Sequence, residues 1–271
     1  MIAALVLAAL APAVPEWNRA VEPFEIAEGL YYVGASEATS YLFETEAGLV
    51  VLDGGFAETA SQILSNVQKL GFKLEDVKVL LSSHGHYDHA GGLGELKRKT
   101  GAQLYASARE AELLARGGKD DPQLGDRYAY RPVIADRIVR DGETVRIGEL
   151  QLVARITPGH TRGCTTWTGR FDGHATVFLC GSEVPAEYKL DGRTSAEYER
   201  GFAVLRSLPC ELFLGASGSF FGLKTKRDRR LAGDASAFVD PQGCRTYVEA
   251  SERVFRERLR EAPAPAATAS K

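Results

Sequence analysis

His84-Gly85-His86-Tyr87-Asp88-His89-Ala90-Gly91-Gly92 packs three histidines and an aspartate into six residues, in a 271-residue chain that has only five histidines. Just upstream, Val77-Lys78-Val79-Leu80-Leu81 is apolar except for Lys78, the pattern of a strand buried on both faces over most of its length. A loop at a strand end can turn alternate side chains into one concave site. Histidine offers neutral nitrogen donors and aspartate a hard anionic oxygen, a set that suits zinc. Four donors this close in sequence crowd a single ion, so the spacing points to two metals. A second stretch, Thr157-Pro158-Gly159-His160-Thr161, sets one more histidine in a Gly/Pro turn after the strand-like Leu150 to Ile156. Alone, such a turn is most simply a satisfied loop histidine. Paired with the cluster, each after a strand, it argues for a metal centre.

Outward from these loops the chain alternates strands and helices. Leu30 to Val33, Thr39 to Phe43 and Leu49 to Leu52 read as a strand meander. Glu58 to Leu70 spaces Ile63, Leu64, Val67 and Leu70 as a helix does. Helices are expected at Leu93 to Lys99, Arg109 to Ala115, Ser195 to Leu205 and Tyr247 to Leu259. Strands are expected at Leu104 to Ala106, Val133 to Ile134, Thr144 to Ile147, Leu150 to Ile156 and Leu212 to Leu214. Phe171-Asp172-Gly173-His174, between Gly163 to Gly169 and Ala175 to Leu179, carries the Asp-Gly hairpin signal. The pattern reads as one α/β domain over residues 14–261, built of two halves with sheets inside and helices outside.

The balance of 33 Lys+Arg against 36 Asp+Glu, with no long basic block, argues against a nucleic-acid binder that lives on phosphate contacts. Residues 1–13, MIAALVLAALAPA, read as the apolar core and cleavage site of a signal peptide, although no Lys or Arg precedes the run. A misplaced start or an apolar arm packed on the domain is the alternative. No other stretch reaches the roughly 18 apolar residues of a membrane helix. Residues 262–271 are expected to be a disordered tail. A monomer, periplasmic or secreted and free of membrane and nucleic-acid partners, is the expectation.

His84-x-His86-x-Asp88-His89 and the Pro-Gly-His turn resemble the metallo-β-lactamase superfamily. HGHYDHAGG, PGHTRGCTTW at 158–167, VPAEYKL at 184–190 and LPCELFLGASGSFFGL at 208–223 resemble, more narrowly, the third subclass of class B β-lactamases. The likeness runs over nearly all of Val21 to Arg260. It implies an αββα sandwich of two mixed β-sheets flanked by helices, with two zinc ions at one sheet edge. By resemblance, His84, His86 and His160 hold the first zinc. Asp88, His89 and a further downstream histidine hold the second, and Asp88 also orients the nucleophile. The resemblance further suggests a Cys210–Cys244 disulfide. Cys164 and Cys180 lie on opposite hairpin strands and either pair or stay as buried thiols. Asp53, at a strand end, either orients a zinc-bound histidine or simply forms a turn. Tyr87 and Trp167 read as packing residues.

The further histidine is missing. In the family it sits in a Gly-Ala-His-like stretch, and here Gly215-Ala216-Ser217 puts serine, a poor zinc ligand, at that position. The unassigned His174 lies in the hairpin turn, at the end away from the metals. The second hairpin strand returns to the metal end and runs into Cys180-Gly181-Ser182-Glu183, where the subclass usually shows Ser-x-Ser. Carboxylate is a competent zinc donor. Glu183 is therefore the expected replacement ligand, with a solvated loop residue or Cys180 as the alternatives.

The expected activity is zinc-dependent opening of a β-lactam ring, zinc lowering the pKa of a bound water toward ~7 to supply hydroxide. A lactonase or thioester hydrolase on the same scaffold, or a weakly active metal-binding relative, are the alternatives.

Overall fold

In the strand β4 (Leu49–Leu52), Leu49 and Val51 enter one core while Val50 and Leu52 enter another. In the strand β5 (Val77–Leu81) the alternation holds from Val79 to Leu81, Leu80 entering the first core and Val79 and Leu81 the second, while Val77, before the exposed Lys78, joins the first core out of step. A strand with two buried faces reads as a continuous apolar run, because the period of two puts every residue in one core or the other. The computed structural model describes residues 16–261. The expected signal peptide at 1–13 and tail at 262–271 lie outside the described residues.

β4 and β5 are central in a seven-stranded sheet of order β1-β2-β3-β4-β5-β6-β7. Its other strands are β1 (Phe24–Ala27), β2 (Leu30–Tyr32), β3 (Tyr41–Phe43), β6 (Gln103–Ser107) and β7 (Arg137–Val139). β1 to β4 pair antiparallel and β4 to β7 parallel, so the sheet is mixed. A second sheet, of order β12-β11-β10-β9-β8, is built from β8 (Thr144–Ile147), β9 (Leu150–Ile156), β10 (Thr165–Phe171), β11 (His174–Leu179) and β12 (Leu212–Gly215). Only β11 and β12 run parallel there.

The inner faces of the two sheets share one core, with Tyr41, Phe43, Trp167 and Phe178 among its aromatic rings. On the outside of the first sheet, α1 (Thr59–Lys69), α3 (Leu93–Thr100) and α4 (Ala108–Ala115) bury Ile63, Val67, Leu93, Leu96 and Leu114. On the other side, α5 (Gly192–Ser207) and α8 (Pro241–Glu261) supply Phe202, Leu205, Val248 and Phe255. The order is helix, sheet, sheet, helix, the sandwich expected from the resemblance.

One local reading changes. Val133 and Ile134 form no strand: Val133 caps the α4 turn through its amide to the Leu114 carbonyl, and Ile134 is exposed. Pairing with β6 begins only after Asp136, whose carboxylate and amide both engage Leu104 and set the register for β7. The hairpin is as read: Asp172 (φ 49°) and Gly173 (φ 80°) give the two left-handed positions of a tight turn, and Phe171 pairs with His174. His174 opens β11, roughly 20 Å of strand from its other end.

Both cysteine pairs are joined, Cys164 with Cys180 and Cys210 with Cys244. The first ties the start of the β10 segment to the end of β11; the second fastens the entry of β12 to α8. Their sequence separations are 16 and 34 residues. On the chain-entropy model each closes a loop worth about 3–4 kcal/mol. The double substitution Cys210→Ser/Cys244→Ser should lower unfolding free energy by about that amount in a denaturant titration. No helix among the described residues is long and apolar enough to cross a membrane.

Candidate metal centre

Five strands end at one side of the sandwich, and each ends in a candidate site residue. β4 runs into Asp53, β5 into Ser82 to His84, β9 into Thr157 to His160, β11 into Cys180 to Glu183, and β12 into Ser217. The seams between the sheets are closed there by hydrogen bonds. The Trp167 indole donates to the Ser82 carbonyl at 3.2 Å, the Thr165 amide to the Ser83 carbonyl at 2.8 Å, and the Tyr41 hydroxyl to the Gly215 carbonyl at 2.6 Å.

The folded loops bring the donors together. His84, His86 and His160 each offer a nitrogen, and these atoms lie within 4.8 Å of one another. His84, Asp88 and His89 form a second such group, so His84 stands in both. His86 Nδ1 faces His160 Nε2 at 3.1 Å, and Asp88 Oδ2 faces His89 Nε2 at 3.3 Å. Asp88 and His89 point the same way because they begin a short helix, α2 (Tyr87–Ala90), which His86 precedes in extended conformation. His84, His86 and His89 are buried, while the Asp88 side chain keeps 35% of its surface open.

The donor set fits metal ions. The ring atom His84 Nε2 is buried and has no hydrogen-bond partner, although it points among other nitrogens. A buried, unpartnered ring nitrogen is costly unless something electrophilic meets it. Burial, reinforced by neighbouring His89 and His86, holds His84 well below the usual histidine range, and burial with His86 pushes His160 down to about 3. Both rings are thus neutral, as donors to a metal must be. Burial opposes the charged form of His89, but Asp88 and then Asp53 hold it up to about 10.

The rings are oriented from behind. Ser83 Oγ lies 3.0 Å from His84 Nδ1, and the Glu183 carbonyl lies 3.5 Å from His160 Nδ1. His86 Nε2 meets the Tyr188 hydroxyl at 3.4 Å and Asp121 Oδ2 at 3.7 Å. Asp53 is buried in the left-handed region (φ 64°). Its oxygens accept from the Ser83 amide at 2.7 Å and the Ser83 hydroxyl at 2.6 Å, and Oδ2 lies 3.7 Å from His89 Nδ1. Tyr87 packs between Phe56 and Tyr128, and Trp167 is wholly buried.

Glu183 reaches the same end of the sandwich but joins neither donor group. Its Oε2 accepts from the Ser182 amide at 3.0 Å and lies 3.9 Å from His160 Nδ1, with 38% of the side chain open. Cys180 is taken up by its disulfide, which removes it as a ligand. Ser217 precedes the short helix α6 (Gly218–Phe221) in extended conformation. His174 lies at the distal end.

Four contributors escape a reading of motifs. Glu110 on α4 bonds to both histidine loops. Asp121 and Tyr188 come from separate loops and meet only at His86. Arg258 on α8 donates to the carbonyls of Val184, Pro185, Ala186 and Tyr188, fixing the loop that carries Glu183 and Tyr188. Tyr188 falls in the VPAEYKL stretch at 184–190 but nothing there singles it out, and the other three sit in no recognisable spacing; only the glycines of His84-Gly85-His86 and Arg162-Gly163-Cys164 hint at a close neighbour.

The family model of the metallo-beta-lactamase superfamily matches residues 33–175, just over half of the chain. Among solved structures, the chain is 34% identical to the native FEZ-1 metallo-beta-lactamase from Legionella gormanii, covering 93% of this chain and 100% of that one with a TM-score of 0.89. It is 30% identical to BJP-1, a subclass B3 metallo-beta-lactamase of Bradyrhizobium japonicum, covering 91% and 96% with a TM-score of 0.83. A hydroxyacylglutathione hydrolase of Fuscovulum blasticum is 30% identical over 159 residues, 58% of this chain. The chain spans 36% to 58% of the length of such curated relatives. The likeness to these solved structures covers more than nine-tenths of the chain, and the family match covers both histidine loops. On these grounds the chain belongs to the metallo-beta-lactamase superfamily, and its structural neighbours include subclass B3 metallo-beta-lactamases.

Proposed function

We propose that this protein is a zinc-dependent hydrolase that opens the β-lactam ring of antibiotics. His84, His86 and His160 would hold one zinc, and Asp88, His89 and Glu183 a second. The observation that carries the reading is the pair of donor groups sharing His84, with its buried Nε2 unpartnered. The likeness to metallo-beta-lactamase structures over more than nine-tenths of the chain supports the substrate class. When bound, the metals supply Lewis acidity and a lowered water pKa. The chain's own residues do the rest. Asp88, partly open, accepts a hydrogen bond from the attacking water and holds it in line with the carbonyl. Ser83, Asp53, Tyr188 and the Glu183 carbonyl fix the ring orientations. Tyr188, at 5.8 Å and 30° from the His160 ring, walls off one side of the cleft.

Glu183 is proposed as the substitute for the histidine that the family resemblance expects at Ser217. Its carboxylate now rests on a neighbouring backbone amide, and side-chain rotation would carry it toward the Asp88–His89 pair. Zinc titration should give two ions per chain for the wild type, and Glu183→Ala should lose or weaken the second by about 10-fold or more. Two ions bound with unchanged affinity would remove Glu183 from the ligand set.

Turnover of a chromogenic cephalosporin, abolished by chelator and restored by zinc, is the expected result. Thioester hydrolysis is the second reading, favoured by the hydroxyacylglutathione hydrolases among the sequence relatives. An acylglutathione thioester in the same assay separates the two. An exported, monomeric protein acting on a small molecule, without nucleic acid or membrane as partner, completes the proposal.

A further inference from the structure

Glu110 is the third residue of α4 and only 1% exposed. A carboxylate so deeply buried is costly unless it is paired or fully hydrogen-bonded. Among the described residues no Lys, Arg or His forms an ion pair with Glu110. Three uncharged donors meet it instead. Oε2 accepts from the Gly85 amide, and Oε1 accepts from the Thr161 hydroxyl at 2.7 Å and the Gly163 amide at 2.8 Å.

None of those donors belongs to α4. Gly85 lies between His84 and His86; Thr161 and Gly163 follow His160. One carboxylate thus joins the two loops that carry the three-histidine group. Its surroundings tighten the joint. The Tyr130 hydroxyl donates to the Gly85 carbonyl at 2.6 Å, and the Ser107 hydroxyl to the Gly163 carbonyl at 2.7 Å. Both glycines allow this approach: a Cβ at Gly163 would stand 2.5 Å from Ser107 Oγ, and one at Gly85 3.0 Å from Glu110 Oε2.

We infer that Glu110 is a positioning residue: it fixes the separation of His86 and His160, and so sets the affinity of the three-histidine site for its metal. The inference rests on the proposed reading of that site as a zinc site. Three donors converge on two oxygens, so an amide cannot replace the carboxylate. Its NH₂ would face an N–H whichever way it turned.

The test is zinc titration of the full-length, metal-stripped protein, with thermal unfolding measured on the same samples. Glu110→Gln should stay folded and bind its tightest zinc about 10- to 100-fold more weakly, the usual cost of losing a group behind a metal ligand. Phe171→Leu, at the distal hairpin, should lower the melting temperature and leave zinc affinity unchanged. A folded Glu110→Gln with wild-type zinc affinity overturns the inference. If that variant does not fold, Thr161→Ala carries the test. Loss of one donor should weaken zinc about threefold, and wild-type affinity overturns the inference. Failure of the wild type itself to bind zinc would instead reject the metal-site reading.

Discussion

His84→Ala should produce the largest loss of activity of any single substitution in the cleft. His84 belongs to both donor groups, so its removal takes a ligand from the first and opens the wall of the second. Expected are a fall in kcat/KM of roughly 10³-fold or more, the several kcal/mol that a metal centre supplies, and a zinc content below one ion per chain. His89→Ala makes the contrast, because it sits in the second group alone and should leave one zinc bound. Metal analysis of the two purified variants checks the prediction. Equal losses in both would show that the groups do not fill independently.

Asp53→Ala should produce the largest loss of stability among the residues around the site. The wild-type carboxylate takes both the amide and the hydroxyl of Ser83, deep inside the protein, and its backbone is left-handed. Truncation strands a buried amide and puts a Cβ-bearing apolar residue into a conformation with no side-chain compensation. Together these cost about 3–4 kcal/mol. For a domain of this size that is about 10 °C in melting temperature. Asp53→Asn should behave differently. Asparagine tolerates the left-handed region, can accept from the Ser83 amide and can donate to its hydroxyl. It removes only the negative charge beside His89. Stability should recover within about 1 kcal/mol, while zinc affinity stays below wild type. Calorimetry and zinc titration on the same two variants separate the two roles. Both carboxylate oxygens are committed to Ser83, and Oδ2 also stands 3.7 Å from His89 Nδ1; the two variants decide whether that proximity orients His89.

Much of the architecture is legible in sequence because it rests on local rules. The doubly buried β5 and the hairpin at Asp172-Gly173 follow from side-chain period and turn geometry, which neighbouring residues dictate. The helix over 59–69 follows from apolar spacing. The donors His84, His86, Asp88 and His89 are legible because they are contiguous, and His160 because it repeats the strand-then-turn context. The false strand at Val133 to Ile134 shows the limit: two β-branched residues suggest a strand, but Ile134 is exposed and only pairing with β6 makes a strand. Here that pairing starts beyond Asp136. The polar helix α7 (Leu223–Leu231) escapes for the opposite reason, since it buries only Leu223 and Lys226 and so carries little apolar pattern.

By itself the sequence determined the fold class, the two histidine loops and the absence of a histidine at 217, because each is a matter of residue type at a fixed spacing. Tertiary structure decided which cysteines pair, that both oxygens of Asp53 are committed, and that Glu110, Asp121, Tyr188 and Arg258 support the cleft. Those contacts join residues from different elements, 25 positions apart for Glu110 and Gly85 and 53 for Glu110 and Gly163. No periodicity links such partners. Only the placement of α4 beside both histidine loops brings one buried carboxylate to donors on each.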